Sequence, residues 1–383
     1  MRMTESPFFS DGHRALAREV DAFLHQHVLP HQHAESDDDA RQLLRAQASA
    51  GLLRFCVPAA AGGRVVETRA TLDVRAMAVI RDTLAYGSGL ADLVFIMQAL
   101  GAGPISLAGS QAQRDAWLPL VAEGKAIAAF ALTEPEAGSD VAAISTRAVR
   151  DGDHYVLNGQ KKFISQATLA DFFCVFARTA DTGGKGLTAL VVRKDSPGLT
   201  VRPQKPMAPH PLGEVHFHDV RVPVADRLGD EGEGMRIALR TLDHCRPTVA
   251  AAACGMARRA LDESLTRTST RKQFGKALSE QQLVQEKLAR MATELAAAQL
   301  LTARACATLD AGMPATLVVS QAKLYATESA QRIIDDGVQL HGGDGVVQGS
   351  AVERLYREIR ALRIYEGTSE IQHLVIAREL LKG

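Results

Sequence analysis

The hydrophobic period of this chain changes twice, and those changes constrain its fold more than any other feature. Up to about residue 126 the apolar residues recur at helical spacing. Leu16, Val20, Phe23 and Leu24 share one face, as do Leu43, Leu44 and Ala48. The pattern continues from Thr71 to Leu100, and glycine-containing breaks are expected at Ala61-Gly62-Gly63, Gly87-Ser88-Gly89 and Gly101-Ala102-Gly103-Pro104. Between about 127 and 231 the period becomes that of strands. Ala128-Phe130-Leu132, Tyr155 to Leu157, Phe172 to Phe176, Leu187 to Val192 and Val215 to Val222 are short and rich in β-branched or aromatic residues. Asp151-Gly152 and Asn158-Gly159 predict hairpin turns, because such turns need positive φ. From about 232 helical spacing returns in longer runs. Leu283, Val284, Leu288, Met291, Leu295 and Ala298 form a sustained stripe, and further helices are expected over Thr316 to about Val338 and Glu353 to Ile359.

The expected architecture is α+β and multidomain. Residues 1–126 form an N-terminal α-helical domain, 127–231 an antiparallel β barrel or sandwich, and 232–383 a C-terminal, four-helix-bundle-like domain. A chain of 383 residues is long enough for two or three such units. Lys and Arg total 44 and so do Asp and Glu, so no basic excess favours nucleic acid. The five cysteines are scattered and never form C-x-x-C, which argues against a disulfide framework or a zinc ribbon. His25, His27, His31 and His33 flank a proline and an acidic run, and His216 and His218 share a strand face. Neither set has the spacing of a known metal site, so no metal is expected. The N-terminus has no apolar signal core, and no run of about 18 apolar residues predicts a membrane span. A cytoplasmic protein is the expectation.

Chemistry concentrates in four stretches. In the last, Arg360 to Ile371, Glu366 lies between an apolar run (Leu362, Ile364, Tyr365) and a break at Gly367. A helix starts after the break, with Thr368 placed to cap it and Glu370 in its first turn. A carboxylate held against apolar packing has a raised pKa and can serve as a base; an exposed loop glutamate is the plainer alternative. In the first stretch, Thr133-Glu134-Pro135-Glu136-Ala137-Gly138-Ser139-Asp140 leaves a strand and offers hydroxyls and backbone N–H groups to a polar ring edge or a phosphate. Arg271-Lys272-Gln273-Phe274-Gly275-Lys276 combines a guanidinium with a planar ring, which suits a pyrophosphate and an adenine but also a solvated basic loop. Gln339-Leu340-His341-Gly342-Gly343-Asp344-Gly345 allows close backbone approach, yet it lacks the lysine and hydroxyl residue of a P-loop.

Together, TEPEAGSD, RKQFGK, QLHGGDG and IYEGTSEIQ resemble the acyl-CoA dehydrogenase family in order and spacing, over nearly the whole chain. The resemblance implies FAD as cofactor and a homotetramer (or homodimer). It places Phe130, Leu132, Thr133, Gly138, Ser139, Phe163 and Ser165 beside the flavin. Arg271, Phe274 and Gln282 would reach the FAD of a neighbouring subunit, Gln339, Gly342 and Gly343 its other end, and Thr368 and Glu370 would also touch FAD. Ser139, Asp243, Arg246, Tyr365 and Gly367 would face the substrate, an acyl-CoA thioester. Glu366 matches the catalytic base, removing the α-proton while the β-hydrogen leaves as hydride to flavin N5, giving a trans-2-enoyl thioester. The Glu366 N–H and a ribityl hydroxyl would hold the thioester carbonyl.

Some features depart from the family pattern. Phe163 stands where a tryptophan is usual, which bears on electron delivery to an electron-transfer flavoprotein. The segment from Lys205 to Val215 is shorter than the matching loop of chain-length-selective enzymes. A carrier-protein-bound acyl thioester in a specialised biosynthetic pathway is therefore an alternative substrate, and a non-dehydrogenase flavoprotein of this fold a further alternative. Cys245, where some relatives carry their base, is expected to shape the acyl pocket rather than react.

Overall fold

The computed structural model describes residues 2–382. Five helices come first: α1 (Asp11–Phe23), α2 (Asp37–Ser49), α3 (Val74–Gly87), α4 (Gly89–Ala108) and α5 (Gln111–Ala122). Eight strands follow: β1 (Ala128–Ala131), β2 (Arg147–Asp151), β3 (His154–Ser165), β4 (Phe172–Arg178), β5 (Leu187–Arg193), β6 (Leu199–Gln204), β7 (Leu212–Pro223) and β8 (Arg227–Leu228). The chain then forms α6 (Gly234–Thr270), a small hairpin of β9 (Lys272–Gln273) and β10 (Lys276–Ala277), α7 (Gln282–Asp310), α8 (Thr316–His341), α9 (Ala351–Leu362) and α10 (Ser369–Leu380). Helices, a β domain and helices again follow in the expected order.

Side-chain alternation along β4 explains how the β domain docks. Phe172, Cys174 and Phe176 point into the core shared with the N-terminal helices, whereas Phe173, Val175 and Ala177 point into a second core enclosed by the sheet. Both faces are buried from Phe172 to Ala177, so the strand is apolar up to its last residue, Arg178. The α6–α9 helices build a third core around Val249, Met256, Leu295 and Ile333.

Three expectations need correction. The sheet is mixed rather than purely antiparallel: β1 pairs with β4 in parallel, Ala128 opposite Phe172, and β2 meets β4 in parallel at Arg147 and Arg178. Asn158-Gly159 is not a hairpin turn but a bulge inside β3. The Asn158 amide exchanges hydrogen bonds with Asp219, and glycine is required at 159 both by its φ of +143 and by Thr146, whose Oγ1 would lie 2.6 Å from a Cβ. Gly101 to Pro104 do not break the chain but lie inside α4. A Cβ at Gly101 would lie 2.7 Å from Ala128, and one at Gly103 2.6 Å from Thr241, so these residues are small to let α4 lie close to β1 and α6. α4 is also long and apolar enough to cross a membrane, but 94% of that window is buried inside the protein.

α6 is the spine of the C-terminal part. Its 37 residues give it a length of roughly 55 Å, and Pro247 sits within it. α3 and α8 pack against it from different sides. Gly255 marks its closest approach to α3, because a Cβ there would overlap the carbonyl oxygen of Asp82.

Candidate active site

A cavity of about 440 Å³ opens where α3, α4, β1, the end of β3, α6 and α10 converge. Leu93, Ile96, Met97 and Leu100 of α4, with Leu239 and Leu242 of α6, form much of its apolar wall. Phe130 of β1 and Leu132 just beyond it continue that wall. Thr133, Gly138 and Ser139 come from the loop after β1, and Phe163 and Ser165 from the end of β3. Asp243, Arg246, Tyr365, Glu366 and Gly367 line it as well. The structure thus brings together residues of two of the four motifs, TEPEAGSD and IYEGTSEIQ, with Phe163, Ser165, Asp243 and Arg246 from between them.

The loop carrying Thr133 and Ser139 is tied down from beneath. Lys161, fully buried, donates to Leu132 O at 2.9 Å and to Glu134 Oε1 at 2.8 Å. Glu134 also accepts from the N–H and Oγ of Ser145 and from the N–H of Thr146. Burial alone would raise its pKa, but the Lys161 ammonium and these donors hold it at about 2. Phe163, with φ +58 and 57% exposed, presents its ring at the cavity. Ser165 Oγ shares a 2.8 Å hydrogen bond with His210, whose imidazole burial holds at about 4, hence neutral.

Glu366 occupies the turn between α9 and α10. Its partial exposure is to the cavity; Oε2 is buried and has no hydrogen-bond partner among the described residues. Burial pushes its carboxyl up from 4.5 to about 6, against the opposing pull of Arg81, Arg246 and Lys323. Its φ is +55 and that of Gly367 is +95. Thr368 caps α10 by accepting from the N–H of Ile371, as its type and place predict. Arg246 donates through Nε to the Glu366 carbonyl at 2.9 Å and through Nη1 to Asp243 at 2.7 Å.

Some of the expected site residues lie elsewhere. Arg271, Phe274, Gln282, Gln339, Gly342 and Gly343 are exposed and outside the cavity, as is Glu370; Thr368 is half-buried and does not line it. Phe274 is 96% exposed at the tip of the β9–β10 hairpin. Leu283 departs from its expected stripe and is 81% exposed, at the start of α7. Cys245 is not part of the cavity wall. Leu239, Leu242, Asp243 and Arg246 fall at helical spacing on the cavity face of α6, and Cys245 lies beside that face, fully buried, where burial keeps its thiol protonated. Among the described residues no group of three or more His, Cys, Asp or Glu side chains could hold a metal.

Two functional candidates escaped the sequence reading. Arg81 lines the cavity from α3 and forms a buried fork with Asp92 of α4, at 2.7 and 2.6 Å, while donating to Thr248 at 3.0 Å. The available signal was a charged Arg81 within the apolar run of α3 and the single aspartate of α4. Lys323 of α8 is fully buried and donates to the Gly367 carbonyl at 2.8 Å.

Three family models match the chain in succession: acyl-CoA dehydrogenase N-terminal domain over residues 10–125, middle domain over 129–220 and C-terminal domain over 232–381. A 3-(aryl)acrylate reductase of Clostridium sporogenes is 36% identical, covering 98% of this chain and 100% of its own length. A cyclohexane-1-carbonyl-CoA dehydrogenase of Geobacter metallireducens is 38% identical over 87% of each chain. Among solved structures, a prolyl acyl carrier protein oxidase superposes with a TM-score of 0.88 at 31% identity, covering 97% of this chain and 99% of the other.

Proposed function

Because the chain belongs to the acyl-CoA dehydrogenase family, we propose that it interconverts a saturated acyl thioester and its trans-2-enoyl counterpart, with Glu366 as the α-carbon base. The observation that carries this reading is the orphaned, buried Oε2 of Glu366 at the wall of an otherwise largely apolar cavity.

Members of this family bind FAD. The residues present fit that cofactor. Hydroxyls of Thr133, Ser139 and Ser165 suit the polar edge of a flat heteroaromatic group, and the rings of Phe130 and Phe163 suit its faces. Bound FAD supplies the acceptor for the β-hydride. The chain's own residues do the rest. Glu366, ionised above about pH 6, takes the α-proton on its free carboxylate oxygen. The Glu366 N–H has no acceptor among the described residues and is available to the thioester carbonyl, where charge grows as the proton leaves. Leucine, isoleucine and methionine side chains around the slot exclude water, which keeps the base in its desolvated state. Microscopic reversibility lets the same group return the proton, so the geometry also serves reduction, the direction in the name of the Clostridium sporogenes relative.

The substrate is an acyl-CoA on this reading. A carrier-protein thioester is the second reading, favoured by the likeness to the prolyl carrier-protein oxidase and by the short Lys205–Val215 segment. A homotetramer or homodimer, and an electron-transfer flavoprotein as redox partner, complete the proposal.

Anaerobic mixing tests it. Holoenzyme should bleach with one of butyryl-, isobutyryl-, cyclohexanecarbonyl- or 3-phenylpropanoyl-CoA. Bleaching only by an acyl group on a carrier protein selects the second reading. Glu366→Gln should keep its FAD and lose bleaching; near-normal flavin reduction in that variant removes Glu366 as the base.

A further inference from the structure

The turn that carries Glu366 is costly in isolation. Glu366 and Gly367 are successive left-handed residues, and that conformation is strained for a glutamate, whose Cβ crowds the backbone. Both of their carbonyls are caught by cations from different helices. Arg246 of α6 holds Glu366 O, and Lys323 of α8 holds Gly367 O, with Gln372 of α10 donating to that same oxygen at 3.0 Å. With these oxygens bound, the Glu366 N–H and Oε2 are left without partners among the described residues.

Lys323 stands apart from the other charges around Glu366. Arg81 of α3 is neutralised by Asp92 of α4, and Arg246 by Asp243 of its own helix. Cys245 of α6 and Tyr365 of the turn itself stay protonated, since burial raises both pKa values. Lys323 has no carboxylate within ion-pair distance among the described residues; Glu328 and Glu370 act on it only from farther off, and it adds to the stronger pull of Arg81 and Arg246 on the Glu366 carboxyl. Its buried neighbours on α8 are Val319, Ala322, Ala326 and Ala330, with only the hydroxyls of Ser320 and Thr327 among them and no counter-charge. A buried ammonium in such surroundings is expensive, and packing alone would be served by methionine.

We propose that Lys323 is a positioning residue for the reaction: it fixes the Glu366–Gly367 turn through the Gly367 carbonyl and holds a positive charge one residue from the base. The proposal rests on the reading of Glu366 as the base.

The test uses FAD-loaded Lys323→Met, Lys323→Gln and Lys323→Arg proteins, with Glu366→Gln as reference. Flavin absorbance and thermal unfolding report the fold. The carboxyl infrared band of Glu366, isolated by subtracting the Glu366→Gln spectrum, is titrated with pH, and the wild-type midpoint is expected at about 6. Anaerobic bleaching is followed against pH with whichever of the four acyl-CoAs bleaches wild type fastest. Lys323→Met should raise the midpoint by about one pH unit and slow bleaching about 10- to 100-fold. Lys323→Gln keeps an N–H for the carbonyl without the charge, so it should share the shifted midpoint but recover most of the rate. Lys323→Arg should bring both back toward wild type. If Lys323→Met does not load FAD, the Lys323→Gln midpoint decides. A folded Lys323→Met protein, or in its place Lys323→Gln, whose midpoint stays within about 0.3 pH units of wild type overturns the proposal. Bleaching by Glu366→Gln at near wild-type speed overturns the base assignment instead, whatever the lysine variants do.

Discussion

Glu366 holds its proton to a higher pH in the folded protein than in an unfolded chain, and this links its chemistry to stability. The ordinary value is 4.5 and the folded value about 6. The folded state therefore binds the proton more tightly. Above pH 6 the ionised carboxylate costs the fold about 2 kcal/mol; the cost shrinks as pH falls from 6 to 4.5 and vanishes below that range. Glu366→Gln should accordingly unfold a few degrees higher than wild type at pH 8 and at the same temperature near pH 4, as calorimetry at the two pH values would show. Equal melting temperatures at pH 8 would falsify the desolvated carboxylate. Glu366 was legible because an apolar run, a glycine and a helix cap bracket it in sequence. Arg81 and Lys323 were not, because a cation on an apolar helix face gains its meaning from partners on other helices. Asp92 lies on α4, and the Gly367 carbonyl lies beyond the end of α9.

Helices and strands were legible wherever their side chains repeat with one period. They were not where small residues serve a neighbour. Gly101 and Gly103 look like helix breakers in a linear reading, yet in α4 they are the seam against β1 and α6. Pro104 forfeits one backbone hydrogen bond within α4 and does not end it. Asn158-Gly159 has the composition of a turn, but its partner is Asp219 across the sheet. Gly255 makes the same point with a measurable consequence. α3 brings Arg81 to the cavity and α6 brings Arg246, so their spacing sets the width of the site. Gly255→Ala should push the two helices apart and cost about 1–3 kcal/mol, seen as a lower denaturant midpoint together with slower bleaching. An unchanged midpoint would mean that the helices absorb the methyl group without moving.

At the scale of the whole molecule, the cavity gathers residues from Arg81 to Glu379, from all three parts of the chain. The order of these parts follows from the change of period. The parallel pairing of β1 with β4 does not, because strand polarity is fixed by the connection running between them. The exposed ring of Phe274 belongs to this scale too. A phenylalanine 96% exposed on a hairpin tip, with φ +54, packs on nothing in its own chain. On the proposed oligomeric reading it meets a second copy. Phe274→Asp should then lower flavin content and shift the mass measured by light scattering toward smaller species. Wild-type flavin content and mass would place the ring outside any contact between copies.

The backbone of Glu366 carries an evolutionary corollary. Glycine would relax its left-handed conformation, and any neutral side chain would remove the cost of an enclosed charge. A mutant library sorted only by survival of heating should therefore drift away from glutamate at this position. Its winners would be sturdy, yellow and inert, so breeding a robust form of this protein requires a second sieve that scores turnover.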